Sequence, residues 1–207
     1  WKAGEHPMFA AYNKIGYDAI ELGNHEFNFG LDYLRKAIGK NKNVLGANVI
    51  DDKTGKTWDG VRPYSMKTIK IDGENVKVGI VGTDTPAIPD FEDPSHFAGV
   101  HFESQVPVMQ KYVKELKDKG ADIIIGVTHS GVPRGDRNSS ENQVVAIAEA
   151  CPELNLLICA HNHVVIDNKS GIKGPDGTVY ADSVINGVPV VESGKDGKFV
   201  GKSTLTI

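Results

Sequence analysis

Ala121-Asp122-Ile123-Ile124-Ile125-Gly126-Val127-Thr128 carries almost no polar interruption. A run this short and this apolar reads as a β-strand with both faces covered. Just upstream, residues 103–119 place Val106, Met109, Val113 and Leu116 at helical spacing. Just downstream, Ser140 to Gln143 has the form of a capping box that opens a helix running to Ala150. Residues 154–160 then form a second apolar strand. Strands separated by helices indicate an α/β fold with parallel pairing.

Further out the alternation continues. Residues 6–15 read as a helix with Pro7 in its first turn and Gly16 as its stop. Residues 18–22 read as a strand running into a Gly-Asn turn, residues 31–38 as a helix stopped by Gly39, and residues 44–50 as a strand. Residues 65–71 and 76–81 are two strands joined by Asp72-Gly73, a hairpin signal. Residues 91–100 read as a loop. Residues 184–192, turning at Asn186-Gly187, and residues 199–207 close the chain as β structure. The hairpins add antiparallel strands to one α/β domain with no internal linker or repeat.

Composition narrows the function. Lys plus Arg number 23 against 27 Asp plus Glu, a net charge of −4, which gives no basic field for a nucleic-acid duplex. The 40% apolar content is that of a globular fold, and no apolar run approaches the roughly 20 residues of a membrane span. Cys151 and Cys159 are too few for a disulfide framework or a four-cysteine zinc site; whether they pair is open. The chain starts at Trp1, which is expected of a cut or processed product.

Four of the seven histidines directly follow strands: His25, His129, His161 and His163. Functional groups in α/β sheets gather at the carboxyl ends of strands. In Gly23-Asn24-His25-Glu26 an amide oxygen and an imidazole can serve a metal or a phosphate, although Gly-Asn is also an ordinary turn. Ser130, after His129, lies in no G-x-S-x-G elbow. In Ala160-His161-Asn162-His163 the two imidazoles would share one side of an extended chain. Oxygen and nitrogen donors without thiolate suit a hard or borderline divalent cation. His6, His96 and His101 read as surface residues, and Arg134 and Arg137 as a solvated loop within reach of a phosphate.

Taken in order, Gly23-Asn24-His25-Glu26, Thr128-His129-Ser130 and Ala160-His161-Asn162-His163 resemble the last three metal motifs of calcineurin-like metallophosphoesterases. The string from Gly23 to Leu34 resembles the bacterial 2′,3′-cyclic-nucleotide 2′-phosphodiesterase/3′-nucleotidase group, a branch of the 5′-nucleotidase family. That resemblance implies a metallophosphoesterase-like β-sandwich flanked by helices, N-terminally truncated. It implies two divalent metal ions (Mn, Zn, Fe, Co or Mg), with Asn24, His129 and His161 holding one and His163 the other. It makes His25 the catalytic histidine and a nucleotide the substrate. It also implies an extracytoplasmic location.

Two departures stand out. Ala160 replaces the family's glycine before the first histidine of the H-x-H pair. Asn28, three residues after His25, stands where 5′-nucleotidases have an orienting Asp; the cyclic-phosphodiesterase group has Asn there too, and Asn is also a good helix N-cap. The family's Asp-x-His and Gly-Asp-x-x-Asp segments, and its C-terminal nucleotide-binding domain, have no match in residues 1–207. The expectation is therefore a partial catalytic domain, probed against two alternatives: a 5′-nucleotidase, and a binding module without catalysis.

Overall fold

The computed structural model of the chain describes residues 6–133, 135, 136, 139–169, 171–174 and 176–206. Helix α1 (Pro7–Ile15) begins with His6, whose ring accepts the Met8 N–H, and ends at Gly16 in the left-handed region. The next strand, β1 (Ile20–Glu21), is shorter than the sequence suggests and pairs in parallel with β2 (Val44–Leu45). Between them lie a 3₁₀ turn (Asn24–Phe27) and α2 (Leu31–Ile38). β3 (Val49–Asp51) follows, so the strand expected over residues 44–50 is broken in two. Phe9, Leu22, Phe27, Leu34, Ile38 and Trp58 bury together as a core of this first region.

The hairpin of β4 (Tyr64–Ile71) and β5 (Glu74–Asp84) forms as expected, with Asp72 and Gly73 both at positive φ. The supposed loop at 91–100 is more ordered than its sequence suggests. A short α3 (Ile88–Phe91) precedes it, a 3₁₀ turn (Pro94–His96) lies within it, and β6 (Val100–Phe102) ends it by pairing antiparallel with β3. Pro89 and Pro94 sit in first helical turns, where a missing N–H costs nothing.

Helix α4 (Gln105–Asp118), β7 (Ile123–His129), α5 (Val144–Ala150) and β8 (Leu156–Cys159) follow. β9 (Val165–Ile166), β10 (Ile172–Lys173), β11 (Val179–Tyr180), β12 (Val184–Ile185) and β13 (Val188–Ser193) complete the strands. The central sheet runs β12-β13-β8-β7-β5-β4, with β9 also paired to β13. Its middle, β13-β8-β7-β5, is parallel, and its margins are antiparallel. Residues 199–206 form no strand, and Phe199 and Val200 are exposed.

One sheet face packs on α4 and α5: Val81, Ile124, Leu157, Cys159 and Val190 are buried against Met109, Val113, Leu116 and Ile147. The opposite face is only partly covered. Ile80 and Ile125, paired in register, are half-buried, and Ile158 is 37% exposed. The expectation that both faces of β7 are covered therefore holds for one face only. Cys151 and Cys159 are both buried free thiols, and burial pushes Cys151 up to about 12.

The capping box does not form. Gln143 caps α5 without a side-chain bond to it, while its own N–H is taken by Ser130 Oγ at 2.8 Å. Asn28 likewise caps no helix N-terminus: Gly30 holds that place for α2, and Asn28 ends the preceding 3₁₀ turn. Its side chain is engaged elsewhere.

Candidate functional site

Leu22 is buried and anchors the end of β1, after which the chain turns sharply. Glu26 Oε2 accepts the Gly23 N–H at 2.7 Å, closing that turn. Phe27, fully buried, stands edge-on to Phe102 at 5.1 Å and pins the turn to the core. Asn24 is thereby held 7% exposed beneath the sheet end. Gly23 itself lies against the His129 ring: a Cβ there would come within 2.8 Å of Cε1. Gly23→Ala should therefore leave secondary structure intact, measured by circular dichroism, while displacing the His129 ring and weakening any ligand held there.

β7 delivers His129 to the same point. His129 Nε2 lies 2.9 Å from Asn24 Oδ1 and 3.2 Å from His161 Nδ1. Glu141 Oε1 sits 2.8 Å from the other nitrogen of His161, Nε2. An ionised carboxylate only accepts, so that nitrogen carries the hydrogen and a neutral His161 presents Nδ1 as a lone pair. Asn24 Oδ1, His129 Nε2 and His161 Nδ1 then share at most one proton. A divalent cation in place of that proton would take all three lone pairs, and this donor set suits one. Among the described residues no three His, Cys, Asp or Glu side chains make a metal cage without such an amide.

Burial pushes His129 down to about 4, and the nearby His161, His25 and His163 push the same way. The ring is neutral at pH 7, as a metal ligand must be. The folded pKa lies below the unfolded one, so the unfolded chain binds the extra proton first. Metal-free protein should lose stability as pH falls from about 6.5 toward 4, with little loss from this group above 6.5. Denaturant midpoints measured across that range check the sign.

The turn after β8 is not extended, so the geometric reason for expecting His161 and His163 on one side fails. His161 (φ 80°) and His163 (φ 60°) both occupy the left-handed region. Such residues cost of order 1–3 kcal/mol each and persist only where neighbours hold them. Asn162 does the holding: Nδ2 donates to Val132 O at 2.6 Å, and its side chain lies flat on Gly131, where a Cβ would come within 2.1 Å of it. His161 reaches the three-atom centre; His163 is exposed beside it.

His25 also stays outside this cluster, with an exposed ring whose Nδ1 lies 3.0 Å from Asn28 Oδ1. Asn28 Nδ2 donates in turn to Glu92 Oε1. Two carboxylates absent from the sequence reading thus touch the candidate residues. Glu141 lies within the apparent capping box, and Glu92 lies within the segment read as loop. His96, read as a surface residue, is held by Glu92 Oε2 at 3.0 Å. His101 is an exposed partner of Asp52. Arg134 and Arg137 lie outside the described residues.

No family model matches the chain. It is 34% identical to the 2′,3′-cyclic-nucleotide 2′-phosphodiesterase/3′-nucleotidase of Salmonella typhimurium, over 98% of this chain and 32% of that protein. It is 31% identical to a 5′-nucleotidase of Vibrio cholerae, over 95% of this chain and 36% of that protein. The crystal structure of the calcineurin-like phosphoesterase YfkN from Bacillus subtilis superposes with a TM-score of 0.78 at 30% identity, covering 92% of this chain and 58% of that one. The chain thus spans about a third of the length of the Salmonella and Vibrio relatives. With its mixed sheet and its matching sequence, the chain belongs to the calcineurin-like phosphoesterases and corresponds to part of their nucleotide-phosphoesterase members.

Proposed function

We propose that this chain is the partial catalytic domain of a metal-dependent phosphoester hydrolase that acts on 2′,3′-cyclic nucleotides and 3′-nucleotides. The observation that carries this reading is that Asn24 Oδ1 and His161 Nδ1 both lie within hydrogen-bond distance of His129 Nε2, with His25 nearby. The name of the Salmonella relative supplies the substrate class. A divalent cation bound there would supply Lewis acidity to a phosphoryl oxygen.

The chain's own residues do the remaining work. Asn24, His129 and His161 would hold the cation, and Glu141 holds His161 in the tautomer that offers Nδ1. His163, exposed at the rim, would be a ligand to a second cation. Its other ligands would come from outside residues 1–207, consistent with relatives three times as long. His25, held through Nδ1 by Asn28, faces the phosphate with Nε2 and, when Nε2 is protonated, passes that proton to the leaving alkoxide. Among the described residues no helix is long and apolar enough to cross a membrane. The family likeness supports an extracytoplasmic setting.

Glu141→Ala should weaken metal binding by about 10- to 100-fold, the range for partners that orient a metal-bound histidine; titration calorimetry on metal-free protein measures this. The function is tested by assaying the whole protein with added Mn²⁺ on 2′,3′-cyclic AMP, 3′-AMP and 5′-AMP. Turnover of the first two supports the proposal. Turnover of 5′-AMP alone selects the 5′-nucleotidase alternative, and no metal-dependent turnover at all selects a binding module.

A further inference from the structure

Three contacts in series join His25 to a carboxylate distant in sequence. His25 Nδ1 meets Asn28 Oδ1 at 3.0 Å, Asn28 Nδ2 donates to Glu92 Oε1, and Glu92 Oε2 meets His96 Nδ1 at 3.0 Å. The Glu92 side chain is 6% exposed, and its backbone N–H closes the end of α3 on Ile88 O. Both carboxylate oxygens are thus engaged on a fixed piece of backbone.

An asparagine amide can sit either way round, with its NH₂ or its oxygen toward a given neighbour. A carboxylate removes that freedom, because it only accepts. Glu92 therefore takes the Asn28 NH₂, and Asn28 must turn its oxygen to His25. An amide oxygen also only accepts, so His25 Nδ1 carries hydrogen. The lone pair of a neutral ring is left on Nε2.

We propose that Glu92 is a positioning residue for the reaction: acting through Asn28, it fixes His25 with hydrogen on Nδ1, so that Nε2 is the ring nitrogen turned to the substrate and the one that carries the transferred proton. This rests on the assignment of His25 to the reaction. It also gives Asn28 a reason to be Asn. An aspartate at 28 would set two carboxylates in contact, a like-charge pair that one fold cannot hold without cost. Asn28 and Glu92 are a matched couple, and changing either alone breaks it.

The test uses the whole protein with ¹⁵N-labelled histidine, His25 being assigned with a His25→Gln variant. Two-bond ¹H–¹⁵N correlations report which ring nitrogen carries hydrogen, and steady-state kinetics on 2′,3′-cyclic AMP run in parallel. The Nδ1–H form should dominate in the wild type and in Glu92→Gln, whose amide oxygen still accepts. In Glu92→Ala the Nε2–H form should appear, and kcat should fall by about 10- to 100-fold, below the full worth of an acid–base group. Asn28→Asp should be impaired and the double variant N28D/E92Q should recover, which a purely structural role for Glu92 does not provide. An unchanged His25 tautomer in Glu92→Ala would overturn the proposal. A shifted tautomer in a protein without phosphoesterase activity would leave the positioning intact and remove only the proposed function.

Discussion

Replacing His161 with alanine should remove most bound metal, read by elemental analysis, and lower phosphoester hydrolysis by at least about 100-fold, more than loss of an outer-shell partner costs. The expectation follows from what one ring does. His161 Nδ1 meets His129 Nε2 at 3.2 Å while its Nε2 is held by Glu141 at 2.8 Å, so the side chain both donates to the centre and is aimed at it. The substitution leaves Glu141 without its partner, but Glu141 is partly solvated and that loss is small. His163→Ala should have a lesser effect on metal content, because that ring lies at the exposed rim. Equal metal content in wild type and His161→Ala would remove the ligand assignment.

Gly82→Ala should destabilise the fold more than any change of similar size at the surface. A Cβ on Gly82 would lie 2.5 Å from Leu45 Cβ and 1.8 Å from Glu21 Oε2. The Glu21 carboxyl oxygens are both buried with no hydrogen-bond partner among the described residues, and burial, with Asp84 nearby, holds its pKa well above the ordinary carboxylate range. Leu45 is fully buried and its Cβ moves only with β2. The added methyl would push β1 and β2 off the central sheet, a cost of about 1–3 kcal/mol for overpacking, and would shift the Asn24 turn with them. Urea unfolding measures the loss; a midpoint equal to wild type would show that the first region does not rest on β5 as described.

The central sheet was readable because its strands are apolar runs and its hairpins carry Asp-Gly and Asn-Gly turns, both at positive φ in the structure. What escaped reading was settled by neighbours distant in sequence. The Ser140–Gln143 segment has the local pattern of a cap, but Ser130 Oγ claims the Gln143 N–H across the loop. Residues 199–206 have strand composition yet pair with no strand among the described residues, and Phe199 and Val200 stay exposed. The site divides in the same way. Asn24, His129 and His161 were visible because each follows a strand end, and the structure brings those three together. Glu92 and Glu141 were not, since a single carboxylate in a polar stretch has no pattern until the fold sets it against an imidazole or an amide.

Titrating metal-free, ¹⁵N-histidine-labelled protein with Zn²⁺ tests most directly whether a cation sits among Asn24, His129 and His161. His129 Nε2 and His161 Nδ1 should shift together, saturating at the same metal concentration, while His101 stays unmoved. Zinc binding that leaves the His129 and His161 ring nitrogens at their metal-free positions would contradict that placement.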